Sequence, residues 1–133
     1  MAPMKDPWDF DATPEELHQM ALTGEQHIRE WVTQNPNTAS ETLALLAHPS
    51  EPHSVRMCVA QHQNTPIECL ADMSRNLHLC KYVALNPVTP PAILAGMAID
   101  TYSWEARYHI VRNQNTPTDV WLAYKKVYGR LPP

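Results

Sequence analysis

The chain has little glycine, few cysteines, no excess of basic residues and no long apolar run. Glycine occurs 3 times in 133 residues, whereas proline occurs 13 times. The prolines fall at recurring positions, which is typical of punctuation between helices and not of a disordered segment. A net charge of −4 argues against a general nucleic-acid or anionic-membrane binder, which carries a basic excess. No stretch of about 18 apolar residues is present, so we expect no membrane span.

The few cysteines also exclude several classes of site. Cys58, Cys69 and Cys80 are odd in number and form no paired motif, which favours reduced thiols in the cytosol over a disulfide framework. The segment Met1–Trp8 has no apolar core of a signal peptide, so we predict a cytoplasmic protein. The histidines and cysteines are not grouped as a zinc site requires. With no glycine-rich phosphate loop, nucleophile elbow or clustered acid pair, we expect no catalytic residue, metal or cofactor, and hence no enzyme.

What the chain does have is internal repetition. Four similar segments run from residues 34 to 38, 61 to 65, 85 to 89 and 112 to 116, and an earlier copy begins at Thr13. Their shared threonines are 24 to 27 positions apart (Thr13, Thr38, Thr65, Thr89 and Thr116). A near-constant period in this range indicates stacked supersecondary units.

Each copy predicts two helices. Thr-x-x-Glu capping boxes at Thr13, Thr38 and Thr65, or a proline after the threonine, start a one-sided helix A. A short helix B follows, with the pattern apolar-Arg-x-x-apolar-small, as in Val55–Ala60. The corner from B to the next A has a fixed length and contains asparagine, which suits tight turns. Gly96 lies inside the repeats and predicts a close approach of helices.

Neither helix can bury its apolar stripe alone, whereas stacked copies share one core. We therefore predict an all-α helical solenoid of about four to five two-helix repeats, without a β-sheet. Helix B is short enough to be α-helical or 3₁₀. The prediction is a single repeat domain over residues 1–133. Residues 1–10 form an N-terminal cap or tail in which Trp8 and Phe10 cover one end, 11–122 form the repeats, and 123–133 form a C-terminal cap and tail.

These repeats resemble the leucine-rich repeat variant family, whose unit reads roughly Asn-Pro-x-Thr-Pro-x-x-x-Leu-x-x-Leu-Ala followed by Val-Arg-x-x-Val-Ala. The resemblance covers residues 36–121 well and 11–35 more loosely. It implies alternating α and 3₁₀ helices in a right-handed superhelix. Some members carry a cysteine-ligated iron–sulfur segment before the repeats, but this chain has no cysteine before Cys58. A second departure is Cys80, which stands where other copies have arginine.

The outer registers of helix B are the first candidate site. They hold Glu30, Met57, Lys81 and Tyr108 in one register and Trp31, Cys58, Tyr82 and His109 in the other. Aromatic and methionine side chains with few charges are typical of an interface core. The candidate partner-binding residues are Trp31, Met57, Tyr82, Tyr108 and His109 on this face, together with Arg112. The alternative is that tight stacking half-buries these side chains between repeats.

Two further sets of residues are candidates. Tyr102 and Trp104 lie in a long A-to-B loop and could anchor a partner, unless Trp104 folds back over the core. The repeated Arg29, Arg56 and Arg107 could bind an anion. Their alternative role is structural, with the stem on apolar surface and the guanidinium bonded to carbonyls or acids of the next repeat.

The pattern favours a non-enzymatic protein-binding scaffold or adaptor, whose protein partner the sequence does not identify. A first alternative is a nucleic-acid-binding solenoid that uses the repeated arginines and Arg112, although the acidic net charge disfavours it. A second is self-association, such as a homodimer formed through the aromatic face. We expect no membrane partner.

Overall fold

The computed structural model describes residues 5–100 and 103–129. Every regular element within these ranges is an α-helix, which confirms the prediction of an all-α chain without a sheet for this part of the protein. The helices are α1 (Pro14–Thr23), α2 (Gln26–Gln34), α3 (Ser40–Leu46), α4 (His53–Gln61), α5 (Ile67–Ser74), α6 (Cys80–Leu85), α7 (Pro91–Asp100), α8 (Trp104–Arg112) and α9 (Thr118–Tyr128). None of them, over the residues described, is long and apolar enough to cross a bilayer.

The predicted pairs of helices are present. The odd-numbered helices are the first helices of the repeats, and α2, α4, α6 and α8 are the second. These second helices contain 6 to 9 residues and are α-helical. Of the two predicted forms of helix B, the described part of the chain therefore has the α-helical one. A helix of this length has room for i to i−4 hydrogen bonds, whereas 3₁₀ runs rarely exceed three or four residues.

The chain divides into two compact units, Met1–Cys69 and Leu70–Pro133. In the first unit α1 packs on α2 and α3, and α4 packs on α2 and α3. Leucines and valines of these helices form its buried core (Leu17, Val32, Leu43, Leu46, Val55 and Val59). In the second unit α8 contacts α6, α7 and α9, and the buried core includes Leu79, Val83, Leu94, Ile110 and Val111.

The predicted capping boxes are correct in one case and wrong in two. Thr13 caps α1, because its hydroxyl accepts from the Glu16 N–H and the Glu16 side chain accepts from the Thr13 N–H. Thr38 and Thr65 are buried and do not cap the helices that follow them. The hydroxyl of Thr38 instead donates backward to a carbonyl at the end of the preceding second helix, with an O···O distance of 2.5 Å to Val32.

This backward bond recurs in every corner. Thr65 donates to the Val59 carbonyl at 2.5 Å, Thr89 to that of Val83 at 2.6 Å, and Thr116 to that of Ile110. Each of these carbonyls lies in the last turn of its helix and also accepts from the backbone N–H three residues later, so the threonine hydroxyl supplies a second donor there. The repeated threonine therefore ends one helix and fixes the corner, and starts the next helix only in the copy at Thr13.

Asparagine side chains connect successive copies. Asn113 donates through Nδ2 to the carbonyls of Ala84 at 2.8 Å and Asn86 at 3.0 Å, and its Oδ1 accepts from the Asn115 N–H at 2.9 Å. Asn115 itself donates to Pro87 and Thr89. In the first unit Asn64 donates in the same way to Pro36 at 3.1 Å and Thr38 at 3.0 Å. These bonds span 26 to 29 residues. Within the first unit they fix the corner at Asn64 to the one before it, and within the second unit they fix the corner at Asn113 to the one before it.

The segment before α1 supplies acceptors for the first corner. Asn35 donates to the carbonyls of Pro7 and Asp9 at 2.8 and 2.9 Å. Trp8 lies edge-to-face against Trp31, with ring centroids 5.3 Å apart. Phe10 is 83% exposed, so the expectation that it covers the end of the repeats is wrong. The backbone of this segment, and not the Phe10 ring, makes the contacts.

Close helix approach occurs at a different glycine from the one predicted. A Cβ on Gly96 would meet no described atom within 4 Å, whereas a Cβ on Gly24 would lie 2.5 Å from the Met20 carbonyl oxygen and 2.6 Å from the Ile28 side chain. Gly24 ends α1 and allows α2 to start immediately afterwards.

Candidate functional site

In the first unit the outer side of the second helices is partly exposed. Trp31 is 44% exposed even though Trp8 lies against one edge of its ring. Next to it, Glu30 accepts hydrogen bonds from Ser54 at 2.6 Å and Gln26 at 3.0 Å. These two bonds stabilise the carboxylate and hold the pKa of Glu30 below its ordinary value. The face therefore combines an aromatic edge with a fixed negative charge.

Met57 and Cys58 on α4 complete this surface and are half-buried. Burial raises the pKa of the Cys58 thiol, and the bonds with Thr33 and Gln34 oppose that shift only in part. A thiol held in its protonated form is a poor nucleophile. Cys58 therefore contributes packing area and not a reactive group.

In the second unit the corresponding face carries aromatic and cationic side chains together. Tyr108 is 47% exposed, and the guanidinium carbon of Arg112 lies 3.5 Å from the centre of its ring. The His109 ring stands edge-to-face to Tyr108 at 5.1 Å. On α6 the Lys81 ammonium is 5.0 Å from the centre of the Tyr82 ring. Both contacts have cation–π geometry, which holds flat rings and positive charge at one surface.

Beside this cluster is an open pocket of about 360 Å³ at the C-terminal ends of α6 and α8. His109, Arg112 and Gln114 supply its polar wall, and Leu85 and Pro87 supply apolar surface. Burial lowers the pKa of His109, and the positive charges of Arg112 and Lys81 lower it further. His109 is accordingly neutral at pH 7 and can act as a hydrogen-bond donor and acceptor.

The predicted loop site is described only in part. Tyr102 lies outside the described residues. Trp104 begins α8, preceded by the capping Ser103, and is 67% exposed. The alternative in which Trp104 folds back over the core is therefore not what the structure has.

The three repeated arginines differ in their surroundings. Arg29 donates from Nε to a Glu51 carboxylate oxygen at 3.0 Å and from Nη1 to the Gly24 carbonyl at 2.9 Å. Arg56 donates to the Ala47 carbonyl at 3.2 Å. Arg107 is half-buried and lines a groove of about 340 Å³ among α7, α8 and α9. Arg29 and Arg56 thus bond to backbone and acid groups of the chain itself.

We predict that the Arg29–Glu51 pair contributes measurably to stability, because both side chains are largely buried. Arg29→Met should lower the free energy of unfolding by about 1 to 2 kcal/mol. The double variant Arg29→Met/Glu51→Gln should cost less than the sum of the single changes, with a coupling of about 0.5 to 1 kcal/mol. Urea denaturation of the four proteins measures this cycle.

The control is Arg75→Met, since Arg75 pairs with Asp72 at 3.6 Å on an open surface. That variant should stay within about 0.5 kcal/mol of the parent chain. If Arg29→Met behaves like Arg75→Met, the buried pair has no structural role.

Sequence reasoning omitted some residues that belong to the site. Lys81 lies in an outward register but is not among the candidate binding residues. The adjacent Tyr82 could have indicated it, because a lysine next to an exposed aromatic ring can form a cation–π pair. Gln114 was also omitted, because its place in the pocket wall depends on how α6 and α8 pack.

No group of three or more His, Cys, Asp or Glu side chains that could hold a metal ion occurs over residues 5–100 and 103–129. Comparison of the chain with protein-family models, with curated proteins and with solved structures gives no match in any of the three.

Proposed function

We propose that this protein is a non-enzymatic, protein-binding scaffold built as a leucine-rich-repeat-variant-like helical solenoid. The observation that carries the proposal is the exposed outer surface of the second helices. It presents Trp31 in one unit and Tyr108 with Arg112 in the other. Tryptophan, tyrosine and arginine are the residue types that contribute most of the binding energy in protein interfaces.

The recurring corner bonds support the solenoid part of the proposal. Within each unit, side-chain donors of one corner pair with carbonyls 26 to 29 residues earlier. Contacts at a separation of one repeat are what a stack of identical units produces. A rigid stack keeps its surface residues in place, which reduces the entropic cost of binding.

The use of the arginines weighs against a nucleic-acid-binding solenoid. Such a protein needs several guanidinium groups directed at phosphates. Arg29 and Arg56 donate to Glu51, Gly24 and Ala47, so part of their hydrogen-bonding capacity is used inside the fold. The chain also has a net charge of −4. With the odd cysteine count, these features lead us to propose a cytosolic protein partner.

We predict that the double variant Trp31→Ala/Tyr108→Ala loses a specific partner while keeping its fold. The tagged full chain and the variant would be used to capture partners from the native cytosol, with identification by mass spectrometry. Truncating one exposed aromatic side chain in each unit should weaken binding by about 2 kcal/mol or more, enough to remove the partner from the captured set. Circular dichroism checks that the variant is folded.

The matched control is Phe10→Ala/Leu122→Ala, which removes one apolar side chain in each unit that is more exposed than Trp31 or Tyr108. It should retain the partner. A partner that the control loses and Trp31→Ala/Tyr108→Ala retains contradicts the assigned surface. If only the protein itself is recovered, a mass from light scattering above that of the monomer identifies self-association and removes the scaffold proposal.

A further inference from the structure

Arg107 occupies in the second unit the position that Arg29 occupies in the first. Each arginine stands nine residues before a corner threonine (38−29 and 116−107). Arg29 is largely buried and pairs with Glu51, which lies in the loop between α3 and α4. Arg107 is half-buried, yet its side chain makes no hydrogen bond and no ion pair over residues 5–100 and 103–129. One unit therefore supplies a carboxylate at this position, and the described part of the other does not.

The side chains around Arg107 form a groove with a mainly apolar wall. This Arg107 groove has a volume of about 340 Å³ and lies among α7, α8 and α9. Its wall includes three alanines of α7 and α9 and two exposed aliphatic residues (Ala95, Ala98, Ala123, Ile99 and Val127). An unpaired guanidinium next to exposed apolar side chains is complementary to a segment that combines a carboxylate with apolar side chains.

The acidic residues near the Arg107 groove do not take the role of Glu51. Asp119 lies in its wall but forms no ion pair with Arg107 in the part of the chain that the structure describes. Glu105, two residues before Arg107, accepts a hydrogen bond from Ser103 at 3.1 Å. No Asp or Glu occurs from residue 120 to residue 133, so this stretch contains no counterpart of Glu51.

The first unit shows which kind of segment fits this position. The loop of residues 47–52 brings Glu51 to Arg29, with a distance of 3.0 Å from Nε to the carboxylate oxygen. The helix that follows, α4, packs on α2 and α3, and its Val55 and Val59 are fully buried. By their distance from the corner threonine, α8 and α9 are the counterparts of α2 and α3. A carboxylate followed by a short amphipathic helix is thus the pattern that the fold itself uses against such a pair of helices.

We propose that the Arg107 groove binds a segment of a protein partner with this same pattern. The carboxylate of the segment pairs with Arg107, and the apolar side of its helix packs against α8 and α9. This inference rests on the proposed protein-binding function and adds a second docking site, of defined chemistry, to the aromatic surface of the second helices.

The probe is a fluorescein-labelled synthetic peptide of residues 48–61, which contains both Glu51 and the sequence of α4. It is titrated with the full chain, and binding is followed by anisotropy. Binding should be saturable, and the affinity should fall about tenfold with Arg107→Gln in the protein or with Glu51→Gln in the peptide. Val55→Ser/Val59→Ser in the peptide removes the apolar side of the helix and should lower the affinity by at least as much.

The matched control is Arg75→Gln, which removes the same charge at an exposed position of the same unit. It should bind the peptide like the parent chain. A charge exchange tests for direct contact. The protein variant Arg107→Glu should bind the parent peptide poorly and should recover most of the affinity with the peptide variant Glu51→Arg. Circular dichroism and a thermal melt check that each protein variant is folded.

Four outcomes would overturn the inference. The absence of binding at about 1 mM peptide rejects the groove as a docking site. Equal affinity for Arg107→Gln and Arg75→Gln, or no recovery of affinity in the charge exchange, shows that Arg107 does not pair with the carboxylate. Full affinity of the Val55→Ser/Val59→Ser peptide shows that the helix does not pack against α8 and α9.

The capture of cytosolic partners separates this inference from the proposed function. If the peptide does not bind but a partner is captured through Trp31 and Tyr108, this inference alone is rejected and the scaffold proposal stands. If the peptide binds through Arg107 while the capture yields no partner, the groove is supported and the aromatic surface is rejected.

Discussion

Replacement of Asn113 by alanine should lower the free energy of unfolding by about 2 kcal/mol or more, since the Ala84 carbonyl and the Asn115 N–H lose their side-chain partner, at about 1 to 3 kcal/mol for each group left unsatisfied, while the Asn86 carbonyl keeps its bond from the Thr89 N–H. Asn113 is 7% exposed. Its Nδ2 donates to two buried carbonyls, at Ala84 and Asn86, and its Oδ1 accepts from the Asn115 N–H. Alanine satisfies none of them. Urea denaturation followed by circular dichroism measures the loss.

Two companion variants identify the cause. Asn113→Asp keeps the acceptor for the Asn115 N–H but places a carboxylate against two carbonyl oxygens, so it should destabilise the fold at least as much as alanine. Gln114→Ala removes an exposed neighbouring side chain and should change the free energy of unfolding by less than about 0.5 kcal/mol. If Asn113→Ala is no more costly than Gln114→Ala, the side-chain bonds between corners do not stabilise the fold.

The helix pairs could be predicted from the sequence, whereas the roles of the corner residues could not. Repetition with a period near 26 and apolar residues at helical spacing are both visible in the order of residues along the chain. Together they were sufficient to predict the pairs of helices. The sequence predicts that the corner asparagines form turns. For Asn113 this role accounts only for the hydrogen bond that its Oδ1 accepts from the Asn115 N–H. The Nδ2 donors reach carbonyls of another copy, and that pairing depends on the packing of the copies.

The threonines also show that local spacing does not identify the hydrogen-bond partner of a polar side chain. Thr-x-x-Glu matches a capping box by spacing alone, and Thr13 forms one. Thr38 has the same spacing but is buried beside the end of α2, where the Val32 carbonyl, which also accepts from the Asn35 N–H, accepts a hydrogen bond from its hydroxyl. Likewise, the partner of Arg29 is Glu51, in a loop of variable length, and no fixed spacing indicates it. Local pattern predicts an element, and burial decides which partner a polar side chain takes.

The candidate site was predicted in composition and not in detail. Trp31, Tyr82, Tyr108 and His109 follow from the outward registers of the second helices, whereas Arg112 lies outside both registers and was a separate candidate. The two cation–π contacts join residues of the same helix, Lys81 with Tyr82 and Arg112 with Tyr108, so local spacing was enough to suggest them. The pocket wall that His109 and Gln114 share depends on the packing of α6 on α8, which the sequence alone does not specify.

His62 should make the protein lose stability as the pH falls below about 6.5, the ordinary pKa of histidine. It occupies the corner position that other copies fill with Asn35, Asn86 and Asn113. Its Nε2 donates to the Asn35 carbonyl at 2.8 Å, while its Nδ1 accepts from the Asn64 N–H at 2.9 Å. One ring nitrogen must carry a proton and the other must not, so the folded protein requires the neutral ring.

The direction of the pH effect follows from burial. Burial lowers the pKa of His62 below its ordinary 6.5, and the bond to Asn35 only partly opposes the shift. As the pH falls below 6.5, the unfolded chain takes up a proton that the folded chain refuses, so stability is lost with acidification. The loss is at most about 1.4 kcal/mol per pH unit, and it ceases below the folded-state pKa. Urea midpoints measured from pH 7.5 to 5 follow it.

The decisive variant is His62→Asn, which gives this corner the residue of the others. An asparagine there can donate to the Asn35 carbonyl and accept from the Asn64 N–H without titrating, as Asn113 does toward Asn86 and Asn115. Stability at pH 7.5 should therefore stay close to that of the parent chain, and most of the loss of stability below about pH 6.5 should disappear.

His109 provides the comparison, because its pKa is also lowered but its ring is half-buried in an open pocket wall. His109→Asn should remove a smaller part of the pH dependence, since partial exposure limits the penalty for charging the ring. An unchanged pH profile in His62→Asn would mean that the corner accepts a charged imidazole. The hydrogen bond from the Asn64 N–H to Nδ1 would then be lost at low pH without lowering the free energy of unfolding. In that case the corners would stay linked even when one of their buried polar groups has no hydrogen-bond partner.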